Sequence, residues 1–135
     1  MKSVKIAIKQ ENTLSNFLES NGFTVEGLGN DIYRVQRDEE LPVFLKISDE
    51  QIYFEVDLGN ISSIAGEKLY FNLLDLNTEI LPVSFGINNC NAADPRLVLV
   101  ESRESGDLCA NELLSVFDAL ELAIDKAEKL LSQNI

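Results

Sequence analysis

Residues 41–58 read LPVFLKISDEQIYFEVDL, and the alternation within them decides the architecture. Val43, Leu45 and Ile47 recur at every second position of the first arm, and Ile52, Phe54, Val56 and Leu58 do so along the second. Period two marks strands that bury one side only. Closing the loop around Asp49-Glu50 sets Ile47 opposite Ile52, Leu45 opposite Phe54 and Val43 opposite Val56. Both apolar sets then share one face, which specifies the register. The other face carries Phe44, Lys46, Ser48, Gln51, Tyr53, Glu55 and Asp57 and is mostly wet.

On the N-terminal side of this hairpin, Val4, Ile6 and Ile8 alternate with Lys5, Ala7 and Lys9. That fits a short edge strand guarded by its lysines, and a helix is the close competitor. Thr13 can cap a short helix through Asn21, with Leu14, Phe17 and Leu18 on one face and Gly22 as its left-handed terminator. Residues 23–28 and 32–37 read as two short strands joined by Gly29-Asn30-Asp31, which tolerate turn dihedrals. Asp38-Glu39-Glu40 then leads into the hairpin as a solvated acidic connection.

On the C-terminal side, Gly59-Asn60 breaks the strand and the spacing predicts a helix from Ser62 or Ser63 to about Asn77. Ile64, Leu69, Leu73 and Leu76 fall near one stripe, whereas Tyr70, Phe71 and Leu74 widen it beyond what one buried face requires. Gly66 weakens the first turn of such a helix by about 1 kcal/mol relative to Ala. Val83, Phe85 and Ile87 mark the next strand after Pro82, and residues 88–95 are a loop by composition. Residues 96–101, RLVLVE, are apolar on both sides at their middle, which places that strand centrally or under cover. Gly106 stops it, and Asp107 is the expected cap of a long helix to about Ser132. Leu113, Val116, Phe117, Leu120, Ala123, Ile124, Ala127, Leu130 and Leu131 give that helix a continuous apolar stripe. Its polar side carries Glu112, Asp118, Glu121, Asp125 and Glu128, with Lys129 spaced to pair with Asp125. This acidic row offers a cation or a basic peptide a surface, though a solvated helix face explains it more simply.

The expected fold is therefore α+β: an antiparallel sheet of five or six strands with a short N-terminal helix, a middle helix and a long C-terminal helix. A chain of 135 residues, 45% hydrophobic and 25% charged, falls in the range of a single domain with one core. No stretch approaches the roughly 18 uninterrupted apolar residues of a spanning helix. The N-terminus MKSVKIAIKQ does not read as a signal peptide, so the cytoplasm is the expected location. The formal charge is −12, of which residues 1–46 carry −1 and residues 47–135 carry −11. Such a field repels phosphate backbones and anionic membranes, which argues against nucleic acid and against membrane insertion. Solubility accounts for the charge; a basic partner is the sharper reading.

The chain has no histidine, which removes the Ser-His and Cys-His pairs and the usual general base near neutral pH. Cys90 and Cys109 are too far apart for a C-x-x-C motif and too few for a disulfide scaffold, so both are expected as free thiols. Cys109 falls near a helix start, where a thiol can be activated, but burial is the commoner fate of such a residue. The Asn-rich loop at 88–94 lacks the spacing and acids of a calcium loop. Gly27 and Gly29 have no helix after them to make a phosphate cradle. No metal or cofactor is expected. An enzyme would have to work with carboxylates or Cys109, and its sign would be a deep pocket of perturbed acids or an exposed thiol beside a base.

Three stretches together carry a resemblance: ELPVFLKISDEQIYFEVDL, NLLDLNTEILPVSFGI and LVLVESRESGDLCANELLSVFDALELAID. With Leu41-Pro42-Val43-Phe44, Glu50-Gln51-Ile52 and Leu81-Pro82-Val83-Ser84-Phe85-Gly86, the chain resembles the YjfI-like family of small acidic bacterial proteins over roughly residues 23–128. The resemblance implies an α+β domain similar in order to type III secretion chaperones, acidic dimers that wrap extended segments of a client. It implies a protein partner rather than a substrate, and its motifs, mostly packing residues, are silent on chemistry. The residues best placed to hold that partner are Tyr70, Phe71 and Leu74 on the middle helix, with Phe44 and Tyr53 on the outer hairpin face. Ordinary core or homodimer contacts account for the five equally well, and burial of both Tyr70 and Phe71 would remove the patch. A regulatory homodimer without a client is the alternative role.

Overall fold

A computed structural model describes residues 13–106 and 108–133, so the alternation at residues 4–8 and the cap expected at Asp107 lie outside the described residues. The elements run α1 (Thr13–Ser20), β1 (Phe23–Gly29), β2 (Ile32–Arg37), β3 (Val43–Ile47), β4 (Gln51–Gly59), α2 (Glu67–Asn77), β5 (Ser84–Asn88), β6 (Arg96–Glu104) and α3 (Ala110–Ser132). All strand pairs are antiparallel, in the order β1-β2-β3-β4-β6-β5.

The hairpin that decides the fold forms in the expected register, Leu45 opposite Phe54 and Ile47 opposite Ile52. Val43, Leu45, Ile47, Ile52, Phe54 and Val56 are all buried on the same face. Between β1 and β2, Asn30 and Asp31 take φ of 56° and 62°. Two consecutive left-handed residues give a two-residue loop the twist its strands need. Gly22, at φ 89°, ends α1 as its sequence implies. The strand of residues 96–101 is internal, as its double-sided apolarity required, with Leu97, Val98 and Leu99 all buried between β4 and β5.

Two helix starts differ from expectation. The middle helix begins at Glu67 rather than Ser62 or Ser63. Asn60 Oδ1 accepts the Ser62 N–H (2.8 Å), a turn follows from Ile61 to Ile64, and Gly66 sits extended at the N-cap. A side chain that satisfies backbone locally competes with the first turn of a helix. Gly66 therefore lies before the helix and does not weaken it. For α3 the N-cap residue is Cys109, which makes no side-chain cap.

All three helices pack on one face of the sheet. Leu14 and Leu18 of α1 and the stripe Leu113, Val116, Phe117, Leu120, Ala123, Ile124 and Ala127 of α3 share one cluster with the inward residues of β1–β4 and with Leu99. Phe117 is the pivot. Its ring lies 4.6 Å from that of Phe23 and 5.8 Å, edge-on, from that of Phe54. Leu69 and Leu73 of α2 join Ile61 and Leu97 in a second, smaller cluster.

The acidic row of α3 is partly used inside the molecule. Arg37 Nη2 reaches Asp118 Oδ1 and Glu121 Oε2, each at 3.3 Å, its Nε lies 3.4 Å from Glu40, and its guanidinium sits 5.0 Å over the Phe23 ring. Partial burial works against the charge on Arg37, but Glu40, Asp118 and Glu121 outweigh it and raise its pKa above the ordinary arginine value. Half-exposed pairs are screened, so the tie between β2 and α3 is modest. Arg37→Ala is expected to cost about 1 kcal/mol in urea unfolding, and Arg37→Lys, which keeps the charge but loses the fork and the stacking, recovers less than half of it.

Candidate protein-binding surface

The helix α2 is held at its C-terminal end and along its inner side. Its C-terminal Asn77 accepts the Phe85 N–H on Oδ1 (2.7 Å), binding the helix end to β5, and Leu69 and Leu73 hold its inner side on Leu97. The residues one position on, Tyr70 and Leu74, then lean towards the sheet edge rather than into the core. With Leu73, Phe85, Gly86, Ile87 and Leu97 they line an open groove of about 280 Å³ between helix and edge strand. Tyr70 is 46% exposed, Phe71 69%, Leu74 68% and Ile87 53%. Three large exposed apolar side chains at one groove, Tyr70, Leu74 and Ile87, with Phe71 next in the chain to Tyr70, are more than scattered surface hydrophobics amount to.

The five residues singled out from the sequence thus separate into two sets. Tyr70, Phe71 and Leu74 stand together on the helical side, exposed. Phe44 and Tyr53 lie on the opposite face of the sheet, where Phe44 is half-buried and Tyr53 is occupied within the molecule. Tyr53 OH donates to Glu55 Oε1 (3.0 Å), and Asn88 Nδ2 donates to Glu55 Oε2 (3.0 Å). Partial burial and the Glu55 carboxylate push the Tyr53 phenol up to about 12. One of the three tyrosines is therefore expected to ionise near that value in a spectrophotometric titration, and Tyr53→Phe should remove it. Because the unfolded phenol ionises near 10, this group stabilises the fold below that pH and loses its contribution as pH rises towards 12.

Two contributors were not visible from the sequence. Ile87 and Phe85 read as an ordinary strand pattern, and only the position of β5 at the sheet edge exposes Ile87. A second hollow, of about 130 Å³, lies where Ile80 and Leu81 meet Ala119, Leu122 and Ala123 of α3, with Glu79 and Lys126 at it.

The chemistry-bearing residues are dispersed. Among the described residues no group of three or more Cys, Asp and Glu side chains could hold a metal ion. Glu101 is a buried carboxylate, but it points to Arg103 (2.7 Å) and its other oxygen has no partner. Cys90 is exposed and free. Cys109 is buried, and its thiol donates to Glu112 Oε1 (3.4 Å), an acidic rather than a cationic side chain. A slow alkylating reagent is expected to label Cys90 and leave Cys109 unmodified until the protein unfolds, which mass spectrometry of the labelled peptides would show.

The family model CesT_Tir_1 matches residues 8–133, nearly the whole chain. The chain belongs to the CesT/Tir chaperone family. Members of that family are non-enzymatic. The fold is that of type III secretion chaperones. It is similar to SpcU in the heterodimeric ExoU–SpcU complex from the type III secretion system of Pseudomonas aeruginosa, with 21% identity, a TM-score of 0.67, and 85% of this chain and 94% of that one covered. It is also similar to YbjN, a putative transcription regulator from E. coli, with 16% identity, a TM-score of 0.63, and 96% and 90% covered. At these identities the likeness extends to the fold alone. A search of the curated proteins finds no match. In this CesT/Tir chain no helix among the described residues is long and apolar enough to cross a membrane.

Proposed function

We propose that this protein is a cytoplasmic, non-enzymatic binding module that holds a segment of a partner protein on the apolar surface formed by α2 and β5. The observation that carries the reading is the open groove lined by Leu74, about two-thirds exposed, and by Ile87 and Tyr70, each about half exposed. An apolar patch of this kind in a chain of charge −12 is a binding surface waiting for a partner that is apolar where it touches and basic around it. The chaperone-like fold supports the reading, since SpcU, of the same fold, is found in complex with ExoU. Within the family, Leu41-Pro42-Val43-Phe44 and Leu81-Pro82-Val83-Ser84-Phe85-Gly86 support a YjfI-like member. Phe44 and Tyr53 are not part of the surface, because the sheet separates them from α2.

The same patch offers a second copy of the chain a seat. Two bodies of −12 repel, which sets that arrangement at a disadvantage at low salt. The test uses a basic polypeptide held unfolded, reduced and alkylated lysozyme, with native lysozyme as control, titrated by fluorescence anisotropy. The reading expects binding of the unfolded chain and little of the native one. Equal binding of both reduces the interaction to charge, and a dimer by light scattering that binds neither gives the surface to a second copy.

A further inference from the structure

The acidic connection between β2 and β3 is not of one kind. Asp38 and Glu39 face solvent, whereas Glu40 is half-buried. The backbone puts it there. Asp38 takes a left-handed φ of 53°, the Glu40 N–H donates to the Arg37 C=O (3.1 Å), and Gln36 Nε2 donates to the Glu40 C=O (2.7 Å). With the turn closed from both sides, the Glu40 carboxylate lies 3.4 Å from Arg37 Nε and within hydrogen-bond reach of the Glu121 carboxyl.

Three carboxylates, Glu40, Asp118 and Glu121, thus converge on one guanidinium, a surplus of two negative charges when all are ionised. Carboxylates crowded at one site do not ionise equally readily, and the least hydrated keeps a proton longest. Glu40 is that one. Its side chain is 32% exposed, against 45% for Glu121 and 67% for Asp118. Burial, with Glu121 beside it, raises the Glu40 carboxyl above its ordinary value of 4.5 in spite of Arg37. Among the described residues the charged groups that act on Glu40 are Arg37 of β2 and Glu121 of α3, and Asp118 reaches it through Arg37.

We propose that Arg37, Glu40, Asp118 and Glu121 form a proton-sensitive clasp between the β2–β3 connection and α3, closed when Glu40 holds a proton and loosened when it ionises. In the closed state the Glu40 O–H donates to Glu121, which still accepts from Arg37 Nη2. Ionisation returns the proton to solvent and sets two carboxylates against each other. Because the folded value lies above the unfolded one, the contribution is whole below about pH 4.5 and is lost as pH rises through the folded value. Carboxylates stabilised by ion pairs act in the opposite sense. The clasp is independent of the docking surface, since β3, β4 and β6 separate β2 from β5.

The test starts from the wild-type chain. Carboxyl-carbon NMR should show Glu40 titrating above the unfolded value, and Glu121→Gln should bring it down. Glu40→Gln keeps a donor towards Glu121 at every pH, so its urea midpoint should gain steadily on the wild type between about pH 5 and about pH 7.5. A Glu40 resonance that titrates at or below the ordinary carboxylate value, or that ignores Glu121→Gln, overturns the clasp. A Glu40→Gln midpoint that runs parallel to the wild type across that range overturns it as well.

Discussion

Replacing Phe71 and Leu74 together by glutamate is expected to weaken the binding of reduced, alkylated lysozyme at least tenfold. Buried apolar anchors at an interface typically lose 1–2 kcal/mol or more each on removal, and about 1.4 kcal/mol is a factor of ten. Both side chains are about two-thirds exposed and belong to no core cluster, so the urea midpoint should move little. The sign makes the experiment decisive. Two added negative charges would tighten a purely electrostatic hold on a basic chain, so weaker binding shows that apolar contact carries it. Unchanged or tighter binding would remove α2 from the account.

The second large effect is on stability. Phe117→Ala is expected to cost about 3–5 kcal/mol, because Phe117 is 3% exposed and bridges the rings of Phe23 and Phe54. The bridge joins β1, β4 and α3, so the cavity opens where the long helix meets the centre of the sheet and no neighbour is free to close it. Phe85→Ala, partly buried at the edge, should cost far less. A loss below about 1.5 kcal/mol at Phe117 in urea unfolding would show that α3 is held elsewhere.

What the residues disclosed of this fold follows from where periodicity is strong. Ile52, Phe54, Val56 and the stripe from Leu113 to Ala127 announce their faces because one side is dry and the other wet, and the structure buries them so. Helix starts were less legible. At Asn60 the side chain satisfies a backbone N–H ahead of the helix, and that competition leaves no trace in the hydrophobic spacing. The surplus of Tyr70, Phe71 and Leu74 could be seen as a surplus but not assigned to one surface with Ile87, since strand order is set by long-range pairing. Nor could Arg37 be matched to Asp118 and Glu121, more than eighty residues away.

The central claim is that the α2–β5 surface holds an unfolded polypeptide. Amide hydrogen exchange of the full chain, free and saturated with reduced, alkylated lysozyme, tests it directly. The account predicts added protection in α2 around Tyr70–Leu74 and in β5 at Ile87, with the outer hairpin face around Phe44 and Tyr53 unchanged. Protection confined to that outer face, or to the β1 edge, would contradict it.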